Sequence, residues 1–349
     1  MAETHRMDYD GKYNVFDISQ IRAYPLCTRS NKVTLEDLVR PEDLGKITAE
    51  LPDKTRRDIE TVARTMVSCR KSGKPVVVFT GAHLIKNGLG PLLADFAGRG
   101  LVTLVAGNCA TAIHDFELAL IGQTSEDVPD ALGKGQFGMA YEFAYFNCAL
   151  SMGNKYKLGC GESLGRMILD ENFREQVLAA AAKDISPKDF AHSEISVLAA
   201  CYENNVPFTV HAGIGTDVID QHPSFDGQAK GGCSGRDFLI YVQEIAKLTG
   251  GGVLLNIGSA VTGPEVLLKA VSMAANTGKV PSGIITADFD LRQHNRDAMS
   301  DESSQGYYYR DQKSVVTRIP GAFAGKGFYI QGNQRQTFPL LYKKVIEGL

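Results

Sequence analysis

Tryptophan is missing from this 349-residue chain, and long apolar runs are missing with it. No stretch approaches the roughly 20 apolar residues that a bilayer-spanning helix needs, so no membrane span is expected. A large excess of charge of one sign is missing too. The formal net charge is -3 at pH 7, which gives no electrostatic case for nucleic acid or an anionic membrane surface as partner. The opening residues MAETHRMDYDGKYNVFDIS carry acids and no apolar segment, so they read as a polar arm rather than a secretory leader. The seven cysteines (Cys27, Cys69, Cys109, Cys148, Cys160, Cys201 and Cys233) never fall at C-x-x-C spacing. An odd, scattered set fits reduced thiols in a cytoplasmic protein, not a disulfide frame or zinc knot. Cys148 and Cys201 read as core fillers, and Cys109, although it lies in a strand-to-helix turn, is also expected to pack.

Three catalytic fingerprints are lacking as well. Neither G-x-G-x-x-G nor G-x-S-x-G follows a predicted strand (the one G-x-S-x-G, at residues 161–165, has no strand before it), and there is no G-x-x-x-x-G-K-[ST]. These absences exclude the ordinary dinucleotide loop, the P-loop and the α/β-hydrolase elbow.

What is there is an alternation. RRDIETVARTMVSCRKS (56–72) has helical spacing and leads through Gly73 and Pro75 to VVVFT, a β-branched run suited to a buried parallel strand. A helix over 91–97, with Pro91 in its first turn, precedes a second strand in LVTLVA and a helix in AIHDFELALIG. Later, HSEISVLAACYENN (with Ser193 as N-cap), GRDFLIYVQEIAKLTGG and GPEVLLKAVSMAANTG predict helices, while VPFTVHA, VLLNIGS and SGIITADFD predict strands. This rhythm implies an α/β fold with a doubly wound, mostly parallel sheet covered on both faces. No linker or repeat divides the chain. A single domain over 1–349 is expected, with 1–55 as an N-terminal arm and 290–312 as a charged surface insertion.

Open α/β sheets bind ligands beyond the carboxyl ends of their strands. The five predicted strands end in Gly81-Ala82-His83, Gly107-Asn108-Cys109, His211-Ala212-Gly213, Gly258-Ser259-Ala260 and Ala287-Asp288. Small residues let a ligand approach the backbone, and helix starts favour anions. Each glycine alone reads as a turn, but together the pattern marks a site. His114 and Asp115 follow the second strand, where an imidazole suits a neutral proton acceptor. The structural alternative is that Asp115 and Glu117 merely favour a helix start through the macrodipole. His83, His114, Asp115, His211, Asp217 and His222 are of types that bind zinc or iron, yet no H-x-H or H-x-x-x-H pair gives a nucleus, and no metal is expected.

The stretch VVVFTGAHLIKNGLGPLLADFAGRGLVTLVAGNCATAIHD resembles the deoxyhypusine synthase family, and the similarity runs on through NVPFTVHAGIGTD, GGVLLNIGS and GIITADFD. The resemblance implies a three-layer Rossmann-like fold that binds NAD without G-x-G-x-x-G. It further implies a homotetramer and oxidation of an amine such as spermidine before aminobutyl transfer to a lysine. Under it, Thr80 matches a strand-end threonine, Asp115 the aspartate of an E-E-D turn, Asp217 that of a T-D-G-S turn, and Gly258 a cofactor-contacting glycine. Gly81, Asn108, Ser259 and Asp288 complete the expected NAD edge. The chain departs from the family where Gly81-Ala82 replaces S-N, where Asn108-Cys109-Ala110-Thr111 replaces T-A-G-G, and where His114 replaces a glutamate that helps hold the polyamine. The W-G-K-I motif with its catalytic lysine is absent, and Lys313 is the nearest basic candidate. The expectation is therefore an NAD-dependent enzyme acting on a small amine or amino-acid-like molecule. His114 would be the base, oriented by Asp115, with His211 or Lys313 on the substrate. A non-catalytic nucleotide-binding or assembly protein, and a metal-dependent lyase or hydrolase using His83, His114 and His211, are the alternatives.

Overall fold

The computed structural model describes residues 9–46, 50–181, 185–295 and 297–349. Two sheets are present among them. A short antiparallel ribbon joins β1 (Asn31–Thr34) to β4 (Gln123–Glu126). The main sheet is parallel throughout and contains β2 (Val76–Thr80), β3 (Leu104–Asn108), β5 (Phe208–His211), β6 (Val253–Ile257), β7 (Ile285–Asp290) and β8 (Lys326–Gln331). Its order is β5-β3-β2-β6-β7-β8. The chain therefore winds outward from β2 in one direction and then returns to wind outward from β6 in the other. That reversal is the doubly wound α/β topology, with its switch point between β2 and β6.

Periodicity explains the layers. All five residues of β2 and of β6 are buried, as expected for strands covered on both faces. Val76, Val78, Val105, Leu255, Ala287 and Phe289 face a large core shared with the helices Asp53–Ser72, Gly90–Gly98, Cys109–Ile121 and Gln334–Glu347. The alternate residues Val77, Phe79, Ala106 and Leu254 face a second core with the helices Gly227–Ile245 and Thr262–Asn276. The alternation places helices on both sides of one sheet.

The expected arm and insertion are woven into this body. Leu26 and Leu51 are buried, Val33 lies in β1, and the Leu26 amide donates to the buried Glu142 carboxylate. Residues 1–8 of the arm lie outside the described residues. In the 290–312 stretch Met299, Asp311 and Gln312 are buried. At the outer edge of the sheet, the β5 amides of Val210 and the following Ala212 donate to Asp237 and Ser234 of the Gly227–Ile245 helix at 2.8 and 3.1 Å. Asp237 also accepts from the Gly161 amide at the start of the Cys160–Leu169 helix. No helix among the described residues is long and apolar enough to cross a membrane.

Candidate functional site

The switch point is built from backbone. The Gly81 amide donates to Ile257 O at 2.9 Å, and the Gly258 amide donates to Phe289 O at 3.1 Å. A Cβ on Gly81 would stand 2.2 Å from Gly258 O, so only glycine lets β2 and β6 meet this closely. Gly258 itself has φ 63°, the left-handed region. Thr80 is fully buried and turns its hydroxyl onto Gly81 O at 2.9 Å, so it holds the turn rather than facing solvent. Around the turn Ala82, Ala110, Gly258 and Ala260 are all at least partly exposed, which leaves open backbone at the ends of β2, β3 and β6. Ser259 is buried and accepts from the Gly263 amide at the start of the next helix.

The helix after β3 begins earlier than its sequence suggests. Asn108, the last strand residue, is also its N-cap, accepting from the Thr111 amide at 3.0 Å, so the helix spans Cys109–Ile121. Thr111 ties this turn to β2 by donating to Thr80 O at 3.2 Å. His114, Asp115 and Glu117 consequently lie beyond the first turn, and the macrodipole does not account for the two acids.

Their partners separate them. Asp115 is buried and accepts from the Ser196 hydroxyl at 2.6 Å and from the Val197 and Leu198 amides at 2.8 and 3.0 Å. It anchors the start of the Val197–Glu203 helix, whose N-cap is Ser196 rather than Ser193. The expectation that Asp115 orients His114 is therefore corrected: all its acceptor geometry is directed at another helix. His114 instead meets Thr124 on β4, with Nδ1 2.7 Å from the hydroxyl oxygen. Thr124 donates to Glu117 Oε2, and Glu117 Oε1 lies 2.8 Å from Arg29 Nη2. Burial alone would raise the Glu117 pKa, but Arg29, His114 and Thr124 together outweigh it and hold the carboxyl at about 2. An ionised carboxylate only accepts, so the Thr124 proton points at Glu117 and the Thr124 oxygen accepts from His114 Nδ1–H. The neutral imidazole thus carries its proton on Nδ1. Nε2 has no hydrogen-bond partner among the described residues, and the His114 side chain is 18% exposed.

His83 opens the short His83–Lys86 helix packed on this one. Partial burial, then Lys86 and His114 nearby, disfavour its cation. His211 has a different setting. It stacks on Phe79 at 5.4 Å and meets the Tyr241 ring edge-on at 5.2 Å, and burial lowers its pKa to about 4. It belongs to the core on the other face of the sheet and does not join His114. Among the described residues, the histidines form no group able to hold a metal.

Asp217 is engaged as well. Lys230, 1% exposed, donates to Asp217 at 2.8 Å, Asp220 at 2.5 Å and Gly213 O at 2.8 Å. Cys109 is buried against this group, and burial first, then Asp217, keeps its thiol protonated. Asp288 is fully buried and takes a hydrogen bond from Asn256 Nδ2 at 2.7 Å, while its Oδ2 has no hydrogen-bond partner among the described residues. Burial, then the neighbouring Asp311, push its pKa far above the usual carboxylate range. Asp288, Asp290 and Asp311 bring oxygens within 4.8 Å of one another, a grouping sequence reasoning missed because Asp311 lies in the expected surface insertion. Arg292, bonded to both Asp290 and Asp311, already supplies a cation there. Lys313 stands apart, donating to Tyr307 O at 3.3 Å beside the Tyr307 ring, and among the described residues no hydrogen bond or ion pair joins it to the carboxyl ends of the strands.

Comparison with known proteins gives fold-level likeness. No family model matches the chain. No curated protein sequence matches it either. Among solved structures, it is similar to ArgZ, an arginine dihydrolase from the ornithine–ammonia cycle in cyanobacteria, at 17% identity and TM-score 0.46, over 83% of this chain and 32% of that one. It is also similar to a candidate LOR/SDH protein from Methanococcus maripaludis S2 (16% identity, TM-score 0.45, 88% of this chain and 74% of that one). A candidate deoxyhypusine synthase from Entamoeba histolytica shares 9% identity at TM-score 0.41, over 94% of this chain and 97% of that one. The chain spans about a third of the length of the arginine dihydrolase.

Proposed function

We propose that this chain is an enzyme that binds NAD in the switch-point crevice and uses His114 as general base on a small amine or amino-acid-like substrate, by dehydrogenation or alkyl transfer. The observation that carries the reading is the free Nε2 of His114, held on the helix that leaves β3 beside the β2–β6 switch point. A dinucleotide fits the open backbone at Ala82, Ala110, Gly258 and Ala260, where small residues let a phosphate or a flat ring approach, and the first amides of the Cys109–Ile121 helix favour an anion. The sequence resemblance to deoxyhypusine synthases supports NAD as the dinucleotide. When bound, it would supply a hydride acceptor.

The chain's own residues then divide the work. His114 Nε2 takes a proton from the substrate nitrogen, and Thr124 steadies the resulting imidazolium from Nδ1. The absence of a W-G-K-I lysine, together with Lys313 lying on Tyr307 and not at the strand ends, supports release of the oxidised imine product rather than transfer of its alkyl group to a protein lysine. A small-molecule amine is thus the proposed partner, and a homotetramer remains a proposal from the resemblance alone.

Calorimetric titration with NAD+ tests this reading. Binding with a raised melting temperature is expected. No heat and no thermal shift at millimolar NAD+ would overturn it. Incubation with spermidine, NAD+ and a translation-factor acceptor should add no aminobutyl group to lysine by mass spectrometry.

A further inference from the structure

We propose that Glu117 is a positioning residue that acts through Thr124 to fix the proton of neutral His114 on Nδ1, so that Nε2 is left unprotonated as the acceptor; the inference rests on His114 being the base proposed above. An exposed neutral imidazole favours neither nitrogen strongly, and which nitrogen carries the proton is set by the bond the other makes. Here that choice is forced from three separate parts of the chain. Arg29, ahead of β1, sets Glu117 as an ionised acceptor at 2.8 Å. Glu117, one turn along the helix from His114, takes the Thr124 proton. Thr124 on β4 then has only lone pairs to offer the ring, at 2.7 Å.

The order of the chain of bonds follows from its charges. Glu117 is 2% exposed and paired with Arg29, so it stays a carboxylate across the range in which histidine titrates. Glu126 also approaches Arg29, at 3.8 Å, so the guanidinium bridges two acids and is itself fixed. The β1–β4 pairing, in which Val33 stands opposite Thr124, carries Thr124 to its place. The N-terminal segment thereby becomes part of the site without touching substrate.

The tautomer can be read directly. In protein labelled with nitrogen-15 at histidine, long-range proton–nitrogen correlation spectra distinguish Nδ1–H from Nε2–H, and the His114→Gln spectrum assigns the signal. Wild type above the histidine titration range should show His114 as Nδ1–H. The near-isosteric Thr124→Val should shift the tautomer ratio about tenfold towards Nε2–H, the scale of one hydrogen bond. Thr124→Ser, which keeps the hydroxyl, should restore Nδ1–H. Nε2–H in wild type, an unchanged ratio in Thr124→Val, or failure of Thr124→Ser to restore it would each overturn the proposal. NAD+ titration of Thr124→Val separates this from the wider reading. Retained binding with a changed tautomer supports the relay, whereas a wild type that binds no NAD+ yet shows Nδ1–H leaves the relay standing and removes only the proposed function.

Discussion

Two buried charge networks lie near the same edge of the sheet and end differently. At the end of β5, Lys230 gives its three protons to Gly213 O, Asp217 and Asp220, and nothing is left over. Beside β3, the line from Arg29 through Glu117 and Thr124 to His114 stops at a ring nitrogen with no partner among the described residues. The first is closed and its residues define a loop. The second is open, and its last atom has no hydrogen-bond partner among the described residues. Asp217 and His114 were both candidates by residue type and strand-end position, and the difference between them is whether their polar atoms are already used.

The closed network should be the costlier to break. Lys230→Met leaves two buried carboxylates unpaired, and denaturant unfolding should show a loss of about 3–5 kcal/mol. A loss below about 1 kcal/mol would place the group among solvated surface pairs. Next comes His211, whose folded pKa of about 4 lies below its ordinary 6.5. The unfolded chain then binds the proton first, so the stability that neutral His211 contributes is complete above pH 6.5 and is lost as pH falls towards 4. The loss should be roughly 3 kcal/mol, and it should be absent from the difference curve of His211→Phe. Equal acid sensitivity in both proteins would remove His211 from the explanation. Smaller again is Asp115→Ala, which strands the Ser196 hydroxyl and two amides and should cost about 2 kcal/mol by the same unfolding measurement. Were Asp115 a catalytic partner only, unfolding would not register its loss.

His114→Ala sits at the other end of the scale for stability. It should change unfolding free energy by less than about 1 kcal/mol, because the open end of a network supports little packing. On its true substrate, turnover should fall roughly 100-fold or more. A large drop in melting temperature with full activity per folded molecule would place His114 with Lys230 and His211 as a structural group.

The strands and the edge they share were legible from sequence because β-branched runs such as VVVFT, bounded by glycine, have few other uses in a chain. The start of the Cys109–Ile121 helix was not, since Asn108 serves as both strand end and N-cap and no turn separates the two. Nor were the helices Phe143–Lys155, Cys160–Leu169 and Glu171–Ala181, or β8 and the last helix, anticipated. For the site, residue type picked out His114, but its partners come from elsewhere in the fold. Arg29 lies in a stretch that reads as a polar arm, and Thr124 looks like any surface threonine. Asp115 and Glu117, two residues apart, take different roles that only the donors meeting each carboxylate reveal.

The side chains that meet β5 have a consequence for the molecule among other molecules. An outermost strand offers unpaired amides to any extended peptide that drifts past, and that is how sheets recruit one another into fibres. Here the outward amides of Val210 and Ala212 are already held by Asp237 and Ser234, and the Ser234 hydroxyl also covers Val210 O. An incoming strand would have to displace a helix to reach those two amides. The chain can thus keep an apolar parallel sheet in a crowded solution with those amides withheld from a passing strand.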